Sequence, residues 1–124
     1  MVPLLSGSLP ASDLQRFKAD FFKALAHPIR IWLLEVLRVR ERSVQELQAA
    51  LGLDQSTVSQ QLAILRAKHV VVARKEGTTV RYAVRDPLVG NLLDVARRIF
   101  NHQLAGTRTM LRELQREARR PARR

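Results

Sequence analysis

The chain has 124 residues, 46% of them apolar, no cysteine and a formal net charge of +11. That length suits one domain built on one hydrophobic core, and the missing thiols exclude disulfide frameworks, thiolate metal sites, cysteine nucleophiles and thiol redox switches. So large a basic excess favours a polyanionic partner, nucleic acid first, while an aromatic content of 5% speaks against a base-stacking platform.

Residues 1–11 read as a flexible lead-in. They carry two prolines and no basic run, unlike a signal peptide. No apolar stretch is long enough for a transmembrane helix, so a cytoplasmic chain without a membrane role is expected. A single domain is expected over 12–117, and residues 118–124 read as a basic, disordered tail. Seven arginines against two glutamates fall between 108 and 124, so part of the excess charge is carried there.

In chain order, Ser12 or Asp13 caps a first helix whose apolar stripe is Leu14, Phe17, Phe21 and Leu25. Pro28 suits the first position of a second helix, with Ile29, Trp32, Leu33, Val36 and Leu37 as its apolar set. His27 reads as a local packing or hydrogen-bonding residue, and Trp32 as core or dimer packing. Ser43 and Glu46 offer a capping box for a short third helix, with Val44, Leu47 and Leu51 inward and Gly52 as its stop. Asp54 to Thr57 cap a fourth helix that buries Val58, Leu62 and Leu65. His69 falls where a left-handed residue ends that helix. The period then changes to two. Residues 70–76 and 79–84 read as a hairpin around Gly77 and Thr78. Asp86 caps the last element, one long helix from Leu88 past Leu114, locally weakened at Gly106. The fold class is mainly α, a winged helix-turn-helix of about five helices with a two-stranded wing.

The chemistry lies in what the fourth helix exposes. Gln55, Ser56, Thr57, Ser59, Gln60 and Gln61 are small or amide side chains, suited to base edges and phosphates; a glutamine can bridge N6 and N7 of adenine. The helix N-terminus itself favours phosphate. In the wing, Arg74, Lys75 and Arg81 surround the tip residues Thr78 and Thr79, a strip for phosphates or a minor groove. Leu14, Phe17 and Phe21, together with Leu92, Ala96, Ile99 and Phe100, would leave a large apolar patch on a monomer, so a dimer through the first and last helices is expected. The three histidines share no metal spacing, and the serines and histidines form no catalytic constellation. No enzyme activity, cofactor or metal is expected.

Four segments carry a resemblance: Ala24-Leu25-Ala26-His27-Pro28-Ile29-Arg30, Val44-Gln45-Glu46-Leu47, the run from Leu51 to Arg66, and Arg74-Lys75-Glu76-Gly77-Thr78-Thr79-Val80-Arg81-Tyr82. In this order the chain resembles the ArsR/SmtB family of bacterial transcriptional repressors from about residue 14 to residue 104. The resemblance implies a homodimer of winged helix-turn-helix subunits that binds double-stranded DNA at an inverted repeat and releases it on binding an inducer. It also shows departures. Gln60-Gln61 stands where the family often has a basic pair. Ser43 and Gln45 stand at the family's thiolate metal positions. Asp86, Leu88, Ile99 and His102 stand at its last-helix zinc positions, where two of four ligands are missing. An unidentified small-molecule effector between the first and last helices, touching Trp32 and nearby arginines, is the remaining route to regulation. A nonspecific, architectural DNA-binding protein is the alternative reading; a membrane-surface or RNA-binding module and a protein-interaction module also stay open.

Overall fold

The computed structural model describes residues 10–104 and 107–119. They form α1 (Pro10–Leu25), α2 (Pro28–Leu37), β1 (Arg42–Ser43), α3 (Val44–Leu51), α4 (Gln55–Ala67), β2 (Val71–Glu76), β3 (Thr79–Val84), α5 (Leu88–Gln103) and α6 (Arg108–Arg119). The strands make one antiparallel sheet in the order β1-β3-β2. This is a winged helix-turn-helix with six helices and three strands among the described residues.

Local chemistry explains the boundaries. His27 is extended and its Nδ1 accepts the Ile29 N–H at 3.1 Å, so α2 starts on a side-chain cap with Pro28 behind it. Ser43 and Glu46 close the expected capping box on α3. Gly52 ends α3 at φ +68°, a conformation that costs other L-residues roughly 1–2 kcal/mol. Asp54 caps α4 through the Thr57 N–H at 3.0 Å. His69 is left-handed at φ +62°, and Val70 N–H then closes on Leu65 O at 2.9 Å. Asp86 accepts the Leu88 N–H at 2.9 Å at the start of α5.

The core lies where α2, α3 and α4 meet the base of the sheet. Leu33, Leu34, Leu47, Val58, Leu62 and Leu65 are completely buried, and Val70 and Val71 continue the core into β2. Truncating one of these leucines to alanine removes about 2–5 kcal/mol. The stripe on α4 falls on the expected Val58, Leu62 and Leu65.

Four expectations are corrected. α1 begins at Pro10, not at Ser12 or Asp13, because a proline has no N–H to lose in a first turn. Trp32 is 41% exposed and so not in the core, where Leu34 is buried instead; its other expected role, dimer packing, is compatible with that exposure. Arg42 and Ser43 form a third strand, pairing with Tyr82 and Arg81. The long last helix is two helices: α5 ends at Gln103 and α6 begins at Arg108. Thr107 has low helix propensity; Gly106, where the sequence suggests a weak point, lies outside the described residues. Of the lead-in expected over 1–11 and the tail expected over 118–124, residues 10–11 and 118–119 are helical, in α1 and α6, and the rest lie outside the described residues.

Two ion-pair nodes tie these elements together. Glu46 Oε1 accepts the Ser43 N–H at 2.9 Å and also Nη2 of Arg81 at 2.9 Å, so the carboxylate that caps α3 holds β3. Arg38, just after α2, meets Asp94 on α5 with two bonds of 2.6 and 2.8 Å. Gly90 makes room for it: a Cβ there would lie 3.1 Å from Arg38 Nε. The Ser43 N–H, then Arg81, hold the Glu46 carboxyl below its ordinary range; the Arg38 hydrogen bond does the same for Asp94.

A carboxylate depressed on folding contributes stability that is complete above its unfolded value, about 4, and is lost as the pH falls through the lower native value. Urea midpoints should therefore drop on the acid side of that range. Glu46→Gln should unfold at lower urea than wild type at neutral pH, with the gap closing as the pH falls. A gap that stays constant with pH would contradict the assignment.

Candidate nucleic-acid interface

α4 is presented by its own burial pattern. Val58, Leu62 and Leu65 hold one side in the core, which turns Gln55, Ser56, Ser59 and Gln60 fully outward. Thr57 is half-buried. Four exposed hydroxyl and amide side chains thus share the first two turns of a helix fixed at both ends. The N-terminus of α4 is less free for phosphate than expected, since the Asp54 carboxylate already occupies the Thr57 amide; the Thr57 hydroxyl, then that amide, hold it below its ordinary range.

Gln61 has a different setting from Gln60. Its Oε1 accepts Nη1 of Arg30 at 2.8 Å. The same guanidinium donates through Nε to Ala24 O at 2.7 Å and through Nη2 to Lys23 O at 3.3 Å. Arg30 is therefore a strut from the C-terminal carbonyls of α1 to α4, where cationic donors are favourable. Sequence reasoning missed it. Arg30 and Gln61 are 31 positions apart, and no local spacing signals such a contact.

The wing is equally specific about its cations. Gly77, at φ +63°, turns the hairpin between Glu76 and Thr79. Arg74 pairs with Glu41 and lies 3.7 Å from Glu76. Arg81 points back at the body of the fold, with its side chain 20% exposed between Glu46 at 2.9 Å and Glu41 at 3.3 Å. Lys75 makes no ion pair among the described residues and is exposed, as is Thr78; Thr79 is half-buried. The basic strip expected at 74, 75 and 81 thus divides. Lys75 faces solvent with no ion pair among the described residues, Arg74 is exposed but compensated, and Arg81 is engaged by Glu46 and Glu41.

Two apolar surfaces remain. On α1, Leu14 and Phe17 are exposed, Phe17 at 74%, while Phe21 packs on the core. On α5, Ile99 and Phe100 are each about half exposed, Ala96 is half-buried, and Leu92 packs inward. A cavity of about 440 Å³ lies between α1 and the start of α5, lined by Phe21, His69, Val70, Arg85, Leu88 and Leu92. The residues at the family's zinc positions do not fit a metal. Leu88 and Ile99 supply no donor, Asp86 accepts the Leu88 N–H, and no three His, Asp or Glu side chains converge among the described residues.

The strut carries a measurable consequence. Gln61→Ala should cost about 0.5–1.5 kcal/mol by urea denaturation, the worth of one hydrogen bond, and Arg30→Ala should cost more. In the double mutant the two losses should not add, because both remove the same bond. Strict additivity would show that the Arg30–Gln61 contact has no weight.

Comparison with known proteins follows this geometry. The sequence profile described as bacterial regulatory protein, arsR family, matches residues 27–71, from the α2 cap to the start of β2. An uncharacterised HTH-type transcriptional regulator of Mycobacterium tuberculosis, Rv0081, is 42% identical over 107 residues, covering 86% of this chain and 94% of its own. Its crystal structure superposes with a TM-score of 0.70 at 45% identity, over 80% of this chain and 97% of that one. A probable mercury resistance operon repressor of Streptomyces lividans is 37% identical over 99 residues, 77% of this chain and 79% of its own. The homodimeric winged helix-turn-helix DNA-binding domain Mb0332 of Mycobacterium bovis reaches a TM-score of 0.71 at 28% identity, over 84% of this chain and 97% of that one. With its fold, its four exposed polar side chains on α4 and these relatives, the chain belongs to the arsR family of bacterial regulatory proteins.

Proposed function

We propose that this chain is a homodimeric repressor that binds an inverted-repeat operator, with one α4 in the major groove of each half-site. The observation that carries the reading is the face of α4. Gln55, Ser56, Ser59 and Gln60 are solvent-facing and unpaired among the described residues, on a helix locked by three buried residues. These groups donate and accept hydrogen bonds without adding charge, so they discriminate bases more than they attract backbone. Lys75 and Thr78 in the wing supply phosphate contacts beside them. The Streptomyces relative supports repression as the outcome of binding.

Dimerisation rests on the exposed apolar side chains Leu14, Phe17, Ile99 and Phe100 of α1 and α5 and on the homodimeric state of Mb0332. A thiolate metal is not the signal, since the chain has no cysteine to bind one. A small-molecule effector fits the cavity between α1 and α5 better, because that cavity touches both proposed dimer helices and the joint of α4 with the wing; its lining includes Arg85 and Asp86 but not the expected Trp32.

The test begins with the fragments of its own genome that the purified chain retains. Against a retained operator, Gln60→Ala should lose discrimination at one or two base pairs, about 1–3 kcal/mol. Lys75→Ala should weaken operator and random DNA alike and lower the salt slope by about one. Arg81→Ala should act chiefly through lost stability, since its guanidinium is committed to Glu46 and Glu41. Base preference altered by Lys75→Ala and untouched by Gln60→Ala would invert these roles.

Ile99→Asp should yield a monomer in sedimentation at micromolar concentration, because an unpaired carboxylate would be buried at the joint. A variant that stays dimeric would move the interface off α5.

A further inference from the structure

α6 has a division of faces that the reading of α4 does not use. Arg108, Arg112, Arg116 and Arg119 recur at spacings of four, four and three, which places them within roughly 80° on one side of the helix. All four are exposed, and none makes an ion pair among the described residues. Leu111, Leu114 and Glu117 are half-buried on the other side, where α6 packs against α5 around Phe100, Leu104 and Met110. The arginine row therefore points roughly 150° away from the packed face.

Like charges at i,i+4 repel, both along the arginine row and between Glu113 and Glu117, and the i,i+3 spacing of Glu113 and Arg116 offsets only part of this. A surface selected only for solubility would interleave the signs. The row spans about 16 Å, and B-DNA offers a phosphate charge for every ~1.7 Å of its axis. Arginine forks suit phosphate oxygens. In sequence, Arg120, Arg123 and Arg124 continue the same charge.

We propose that the arginine row of α6 grips the DNA backbone outside the segment read by α4 and the wing, adding affinity without sequence preference. The proposal rests on the DNA-binding reading above. It gives the C-terminal helix a role that the matched family segment, residues 27–71, does not contain.

The test uses the full chain, a short operator duplex and the same operator with added flanks, titrated by fluorescence anisotropy across a range of salt. Wild type should bind the flanked duplex more tightly and with a steeper salt slope. Replacing all four residues together (Arg108→Gln, Arg112→Gln, Arg116→Gln and Arg119→Gln) should flatten the slope on flanked DNA by roughly 3–4 per protomer. Affinity for the short duplex and discrimination against random sequence should be retained. The corresponding Arg→Lys set should keep the slope, because charge alone releases the counterions. Circular dichroism on each variant checks that α6 is still helical.

An unchanged slope on flanked DNA, with operator discrimination intact, would overturn the role of α6 and leave the DNA-binding reading standing. Failure of wild type to distinguish operator from random DNA would instead overturn that reading. Equal competition by single-stranded RNA at matched phosphate concentration would reassign the row to polyanions in general and overturn its DNA role.

Discussion

The Glu46 carboxylate is the constraint on which the interface depends. It closes the capping box on α3 and accepts Arg81 from β3, so one carboxylate joins the helix before the turn to the base of the wing. Ser43 contributes twice, as the cap of α3 and as the β1 partner of Arg81. The node adds to the short β1–β3 pairing and the Glu41 contacts of Arg74 and Arg81, because a two-stranded ribbon is marginal by itself. With it, the wing tip and the exposed face of α4 are held at one relative orientation. A reader of DNA gains from that, because misplacement by an ångström costs hydrogen bonds whose worth depends on geometry.

The arrangement of charge follows from the same network. A net charge of +11 suggests a wing saturated with cations, yet Glu41, Glu46 and Glu76 compensate both wing arginines. The first turns of α4 carry no cation, and Asp54 lies at their head. The surface proposed to read bases is therefore close to neutral, and the uncompensated positive charge sits elsewhere, on α6 above all. Separating readout from attraction in this way suits a protein that must find one site among many, since backbone attraction alone strengthens every site equally.

Much of this was legible before any coordinates. Caps and periodicity marked α2, α3, α4 and the hairpin, because each depends on local chemistry: Pro28 at a first turn, Ser43 with Glu46, Gly52, Asp54 and Gly77. Elements decided by non-local contacts were not legible. β1 is two residues long and exists only because Tyr82 and Arg81 lie opposite it. The burial of Leu34 and the exposure of Trp32 are not legible, because a helix buried on several sides has no clean stripe to read. Arg81 and Gln61 carried residue types apt for DNA, but their partners, Glu46 and Arg30, lie 35 and 31 positions away. The sequence marks a weak point at Gly106, outside the described residues, and propensity alone does not decide between a kink and the two helices α5 and α6.

The central claim is that a rigid, neutral face of α4 reads the major groove in two symmetric half-sites. Methylation protection of a retained operator tests it most directly, because guanine N7 lies in the major groove and adenine N3 in the minor. The account predicts two blocks of N7 protection, related by a two-fold axis and centred about one helical turn, or ~10 base pairs, apart. Gln60→Ala should thin both blocks without moving them. Protection confined to adenine N3, or a footprint of backbone contacts with every N7 still reactive, would contradict it.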